Sequence, residues 1–407
     1  MKNVLNILLV GVIATSVLIV PGVSKAAGST FKDVPANHWA KNSIDYAVSK
    51  GFFKGYNGSF SPNAEVNRAE FAALLARVSI NQSEQKDSFK DLKGHWSENE
   101  VTKAIGKGFI STSDYPAGFK PSTPITRMEM SKWIASGLSI KDADFKQAME
   151  DTRDTLLPVA EYFKGGITKS DYPSISIVLG TGLLGGYPDG TFGPGKTTTR
   201  AEAAVIIQRL ESVQGKEADS FHGLNELREV GTTGTNLTSV TPYRYKENSD
   251  IKRILNKNIS LRNGVGKVQL HRMIVMNVKK WDDINSIYGQ MFVDKTSKRP
   301  LINDQYDVYI DVTVTPTTEN FKYEHFTNGG KSRLEAGFRI GGNVTNVYGY
   351  KSLPSNGDPT FFRKDKASRF WAFTSIDNHV KQGESVGYTL TTDEGKGALI
   401  YLLKGEK

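Results

Sequence analysis

The chain has no cysteine among its 407 residues, so disulfides, thiolate metal sites and thiol nucleophiles are excluded and stability must come from packed cores. Histidine is scarce, with 6 in the chain, and His222, His271, His325 and His379 show no metal-ligand spacing. No Gly-x-Ser-x-Gly, His-Glu-x-x-His, phosphate-loop or calcium-loop pattern occurs, so no catalytic residue, metal or cofactor is assigned. Long apolar runs are missing too, with one exception. Leu5 to Val20 follows Met1-Lys2 and ends at Pro21-Gly22, ahead of Ser24-Lys25-Ala26-Ala27. It reads as a secretory signal peptide, residues 1–26, cleaved after Ala26. The rival reading is a permanent anchor, for which roughly 20 apolar residues are needed, slightly more than are present. No second apolar run and no lipidation signal follows, so no membrane span is expected after cleavage.

Positive charge is in excess. Lys and Arg number 52 against 43 Asp and Glu, and loss of residues 1–26 lowers the formal charge from +9 to +7. A basic exported chain expects anionic partners such as wall polymers or acidic glycans, and nucleic acid is not expected in that compartment.

The strongest signal is internal repetition. Phe31-Lys-Asp33-Val34 to Arg68-Ala69-Glu70 aligns with Phe89-Lys-Asp91-Leu92 to Arg127-Met128-Glu129 almost without gaps. Shared landmarks are Phe-x-Asp, His38-Trp39 and His95-Trp96, Gly51-Phe52 and Gly108-Phe109, Phe60-x-Pro62 and Phe119-x-Pro121, then Arg-x-Glu. A third copy is clear only in its second half, from Gly182 through Gly186-Tyr187-Pro188-Asp189-Gly190 to Phe192-x-Pro194 and Thr199-Arg200-Ala201-Glu202. The arginines lie 59 residues apart between copies one and two but 73 between two and three.

Apolar residues at Ile44, Ala47, Val48 recur as Val101, Ala104, Ile105 and Ile175, Val178, Leu179, a spacing that predicts a first helix in each copy. Phe71, Leu74, Leu75, Val78, with Met130, Trp133, Ile134, Leu138 and Ala203, Ile206, Ile207, Leu210, predict a second. Asn67-x-x-Glu70, Thr126-x-x-Glu129 and Thr199-x-x-Glu202 are capping boxes. The arginine inside each box is not explained by capping, because a cation there opposes the helix dipole. Its presence in all three copies points to an anion, with neighbouring helix amides as further donors; the alternative is a solvated surface arginine.

On these residues, the stretch 29–212 resembles the surface-layer homology (SLH) domain in three tandem copies, 27–82, 83–140 and 141–212, the last degenerate in its first half. The matching motifs stand at 31–34, 38–40, 186–194 and 199–202. The resemblance implies a pseudo-threefold all-α helical bundle whose grooves bind a secondary cell-wall polysaccharide attached to peptidoglycan, commonly an acidic, pyruvate-bearing polymer of Gram-positive bacteria. It also implies the binding residues: Arg68, Arg127 and Arg200; Asp33, Trp39, Asp91 and Trp96; and the turns at Gly55, Tyr56, Gly186 and Tyr187. A sugar carboxylate suits a bidentate Arg, and tryptophan stacks on sugar faces as readily as it packs into a core. Replacing Arg68, Arg127 or Arg200 by Ala is expected to weaken wall binding and leave the bundle folded. Two departures bear on the grooves. Copy two reads Ser111-Thr-Ser-Asp114-Tyr115-Pro116-Ala117-Gly118 where the Gly-Tyr turn is expected. Copy three lacks the Asp–Trp pair, for which Met149-Glu-Asp151 or Asp171-Tyr172 can substitute. One groove of the three is thus a candidate for weak binding.

Residues 213–250 read as a linker with at most a short helix near Leu224–Val230. From 251 to 407 the texture is strand-like. Runs at Val268–Val278, Tyr306–Val314, Ala336–Val347, Arg369–Thr374, Ser385–Thr391 and Ala398–Leu403, with turns at Asn328-Gly-Gly, Gly341-Gly-Asn and Ser355-Asn-Gly-Asp, indicate an all-β antiparallel sandwich, the immunoglobulin fold being one form. Asp307, Tyr309, Asp311 and Thr313 alternate with Val308, Ile310, Val312 and Val314. The two aspartates lie ~13 Å apart along a strand, beyond the ~5–9.5 Å of a glycosidase pair, and read as a solvated face. The expected whole is a secreted cell-surface protein, held on the wall by its repeats, with a β domain for surface-layer assembly or adhesion that contacts other surface proteins. The alternative is a wall-anchored hydrolase with catalysis in 251–407. A cleft with facing carboxylates would favour the hydrolase; Trp371 and Tyr350 exposed on a flat face would favour adhesion.

Overall fold

A computed structural model describes residues 31–84, 88–262, 264–280, 283–294, 305–354, 358, 360–378 and 384–403. The expected leader, His379 and most of the Ser355-Asn-Gly-Asp turn lie outside these residues.

Copy one supplies helices α1 (Lys41–Ser49) and α2 (Arg68–Val78), and copy two α3 (Glu98–Gly106) and α4 (Arg127–Lys141). An inserted helix α5 (Ala143–Asp151) and a single turn α6 (Glu161–Lys164) account for the wider third spacing, before α7 (Tyr172–Gly180) and α8 (Arg200–Val213) of copy three. The second-helix stripes are buried throughout, Leu75, Ile134 and Ile207 completely. Helix α2 also buries Ala69, Ala72, Ala73 and Ala76, so small side chains let its neighbours approach on every side.

All three capping boxes close, at Asn67, Thr126 and Thr199. The remaining first-turn amides, which no helix can satisfy internally, are taken up by the following copy. Arg68 N donates to Thr123 O, Arg127 N to Lys196 O and Arg200 N to Ala64 O, each at 2.9 Å. Ala69 N reaches Pro121 O, Met128 N reaches Pro194 O and Ala201 N reaches Pro62 O. Copy one thus leans on two, two on three, and three back on one.

Residues 213–250 are helical over much of their length. Helix α9 (His222–Thr233) buries Leu224, Leu227 and Val230 against α5 and α7, and α10 (Leu237–Val240) follows. The chain then becomes an antiparallel β region, so the protein is helical first and β after. Strands β1 (Arg244–Tyr245), β2 (Asn258–Ser260), β3 (Gly266–Met276), β4 (Val278–Lys280) and β5 (Asp283–Ile284) precede the one-turn helix α11 (Gly289–Phe292) and β6 (Gln305–Pro316). Helices α12 (Tyr323–Thr327) and α13 (Gly342–Tyr348) lead to β7 (Ser368–Asp377), β8 (Ser385–Thr391) and β9 (Gly397–Leu403). A four-stranded sheet runs β2-β3-β6-β7 and a three-stranded sheet β1-β9-β8. Val308, Ile310, Val312 and Val314 share one buried cluster with Leu390 and Ile400 of the smaller sheet.

Three expectations are corrected. The face carrying Asp307, Tyr309 and Asp311 is not solvated: Asp307 is 9 % and Asp311 3 % exposed. Tyr309 and Trp371 on that face belong to the cluster that runs on into the helical half, so a second layer covers it. For the same reason Trp371 and Tyr350, expected as candidates for an exposed flat face, are 3 % and 5 % exposed. The run 336–347 is not a strand. Gly341 caps α13, whose Val344 and Tyr348 are buried one turn apart, so a helical period won over a short alternation.

Candidate functional site

The repeated residues converge on the phenylalanine of each Phe-x-Pro. Phe60, Phe119 and Phe192 are all essentially inaccessible, and each has its backbone held at both ends. The amides are held by acids: Asp33 accepts from Phe60 N and Ser61 N at 2.9 and 2.6 Å, and Asp91 from Phe119 N and Lys120 N at 3.1 and 2.7 Å. Partial burial alone would raise these carboxyls, but the two amides at each outweigh it and hold both below the ordinary aspartate value.

In copy three Glu161 does this work, accepting from Phe192 N and Gly193 N at 2.9 Å. Sequence reasoning missed it. Asp151 instead pairs with Arg228, and Asp171 caps Thr168 and pairs with Lys132. The available signal was distance along the chain, the acids preceding their phenylalanines by 27, 28 and 31 residues.

The phenylalanine carbonyls are held by the arginine of the preceding copy. Arg200 Nε donates to Phe60 O and Arg127 Nε to Phe192 O, and an Arg68 terminal nitrogen to Phe119 O, all at 2.9 Å. Arg127 also reaches Gly185 O and Arg200 reaches Lys54 O. Arg68 differs, turning its Nε and remaining terminal nitrogen onto Glu129 at 2.9 and 2.7 Å. Each guanidinium lies over an aromatic ring, Tyr115, Tyr187 with Phe192, or Phe53 with Phe60, at 4.8–5.1 Å. These contacts explain how a cation is tolerated against the helix dipole. The helix amides expected beside each arginine as anion donors are occupied by the neighbouring copy and the capping box. Burial pulls Arg127 and Arg200 below the usual arginine pKa, with nearby Glu202 and Glu70 respectively opposing it.

Trp39 and Trp96 stand out of the core, 67 % and 60 % exposed, as does Tyr56 at 81 %. Gly55 is required sterically, since a Cβ there would sit 2.2 Å from the Phe31 ring. A cavity of about 250 Å³ gathers Arg200 of copy three, Trp96 of copy two and Phe52, Phe53, Lys54 and Glu70 of copy one. Gly186 and Tyr187 line a different cavity, about 300 Å³, walled on its other side by Ile284, Gly289 and Tyr348. In copy two, Tyr115 fills the turn, half-buried among Phe89, Phe119 and Trp133 with its hydroxyl between Trp133 and Glu129. The acids Asp33 and Asp91 are engaged in the backbone clamp.

Residues 30–72, 88–131 and 167–204 match the S-layer homology domain. The S-layer protein sap of Bacillus anthracis is 34 % identical over 47 % of this chain and 22 % of its own length. An S-layer protein of Bacillus thuringiensis subsp. finitimus is 26 % identical over 71 % of this chain and 33 % of its own. An uncharacterized cell wall amidase of Bacillus anthracis is 28 % identical over 54 % of this chain and 38 % of its own. The matched part of the chain therefore spans well under half the length of these curated relatives. Among the described residues no helix is long and apolar enough to cross a membrane, and no cluster of three or more metal-ligating side chains occurs.

Proposed function

The chain belongs to the S-layer homology family through three tandem copies of that domain, and from that premise we propose that it is a secreted surface protein held non-covalently on the bacterial wall. The copies form a pseudo-threefold bundle and bind an anionic secondary wall polysaccharide, with a pyruvate ketal as the carboxylate source, while the β half is a sandwich that serves surface assembly or adhesion. The observation that carries this reading is the cavity in which one copy contributes Arg200, a second the exposed Trp96 and a third Lys54. A guanidinium and a lysine beside an exposed indole suit an acidic sugar.

The grooves are unequal. Five residues before its first apolar helix position copy three has Ser170, where copies one and two have Trp39 and Trp96. By the cyclic order, the groove on copy two then lacks an indole, and its arginine, Arg68, is neutralised by Glu129. It is the weakest of the three.

The test is sedimentation of the mature chain with wall sacculi, before and after acid extraction of the secondary polymer. Pelleting that disappears on extraction and falls several-fold in Trp96→Ala supports the reading. Pelleting that survives extraction points to peptidoglycan, and none at all overturns wall anchoring. Arg200→Lys is a better probe than Ala, since it keeps a cation near Phe60 O while removing the fork. The similarity to an uncharacterized cell wall amidase keeps the hydrolase alternative in view, yet Asp311 is engaged in an ion pair, and the cavity it lines holds no second carboxylate.

A further inference from the structure

A cavity of about 440 Å³ lies where copy three meets the larger sheet, away from the grooves. The register sets Arg272, Asp311 and Trp371 side by side on β3, β6 and β7, so all three project from one face into this space. Asp311 is buried and both its oxygens are held by Arg369, Nε at 2.9 Å and a terminal nitrogen at 2.7 Å. That pair is neutral as a unit. Arg272 approaches the same carboxylate only to 4.0 Å, and Lys351 adds another exposed charge with no ion-pair partner among the described residues. Three cations therefore face one carboxylate. The guanidinium of Arg369 keeps its other terminal nitrogen unbonded among the described residues, on a side chain 55 % exposed. The remaining wall is aromatic: Tyr162 and Phe163 from α6, opposite Tyr350 and Trp371.

We propose that this cavity binds an anionic sugar unit, its carboxylate between Arg369 and Lys351 and its ring against the aromatic wall. A surplus of cations selects the charge, the terminal guanidinium nitrogen that Asp311 leaves free can donate to a carboxylate, and flat apolar walls select a ring over a bare ion. The volume falls in the range of small-ligand sites, ~300–1,000 Å³, enough for one or two sugar rings. The site does not depend on the groove reading, since neither Arg200 nor Trp96 lines it.

The test is calorimetric titration of the mature chain with glucuronic acid, against glucose and inorganic phosphate. Saturable binding of glucuronic acid alone is expected, weakened about tenfold in Lys351→Gln, abolished in Arg369→Gln and unchanged in Trp96→Ala. The Lys351 side chain is exposed and makes no ion pair or hydrogen bond among the described residues, and its carbonyl bond from Trp371 N survives substitution, so its variant remains informative even if Arg369→Gln, which strips Asp311 of its partner, fails to fold. No binding of glucuronic acid, or equal binding by Lys351→Gln, overturns the site. Loss in Trp96→Ala moves the binding to the grooves and overturns it equally. Phosphate binding as tightly as glucuronic acid overturns the sugar assignment and leaves an adventitious ion only.

Discussion

The two halves place charge inside the protein in different ways. In the repeated clamp the acids Asp33, Asp91 and Glu161 and the arginines Arg68, Arg127 and Arg200 are bound to backbone, the two ends of one phenylalanine, and of those arginines only Arg68 adds a carboxylate. In the sheet a buried aspartate meets an arginine directly, charge against charge. Backbone dipoles are supplied wherever the chain goes, so the first arrangement can be copied with the repeat. The second needs one particular pair of side chains in one register and occurs once among the described residues of the larger sheet. The halves should accordingly respond differently to the loss of a charge.

The largest effect belongs to neither pair but to the apolar centre they surround. Ile207 is fully buried on α8, and Ile207→Asp places a carboxylate where nothing solvates it, at more than ~4 kcal/mol. Because one buried cluster runs from copy one through α9 to Tyr309 and Trp371, both halves should lose their cooperative melting transition together. Survival of a separate β transition in calorimetry would show that the halves are independent.

Next comes Arg369→Ala, which leaves Asp311 buried beside only a distant Arg272. Removing one member of such a pair costs about 3 kcal/mol, read as a lowered denaturation midpoint. Asp33→Asn and Asp91→Asn should cost less, about 1 kcal/mol each, since these carboxylates lie near solvent and the backbone donors can be rehydrated. Their pH dependence has a definite sign. Both folded pKa values are depressed, so their contribution is present above the ordinary aspartate value of about 3.9 and is lost as pH falls below it through the folded pKa. The Asn variants should lose stability less steeply on acidification than the parent, and an unchanged acid limb would break the comparison.

What could be read from the sequence follows the same division. The helices, capping boxes and paired landmarks of the repeats were legible because periodicity and motif order are local properties. Glu161 was not, because the acid sits 31 residues before its amide with the insertion of copy three between. Nor could sequence show that the arginines hold the ring together, since Phe60 O lies 140 residues from Arg200. The strict alternation of 306–314 located a strand correctly, but alternation says only that two faces differ. It could not show that the polar face is covered, since that depends on where another half of the chain packs.

The smallest effect lies at the junction of the two halves. Glu226 on α9 is fully buried and accepts from Asn236 at 2.8 Å, Ser286 at 2.7 Å and Ile287 N at 3.2 Å, while His222 Nε2 stands 3.2 Å away. The hydrogen bond to Glu226 raises the His222 pKa above its ordinary value, against the opposing effect of burial. A raised folded pKa stabilises the folded chain fully below about 6.5, and the contribution disappears as pH rises through the folded value. His222 is 42 % exposed, so screening keeps the effect under about 1 kcal/mol. Melting temperatures at pH 6 and pH 8.5 should therefore differ slightly more in the parent than in His222→Gln. If the variant shows the same difference, the junction is held by the neutral donors to Glu226 alone, and the joint between ring and sheet does not sense pH.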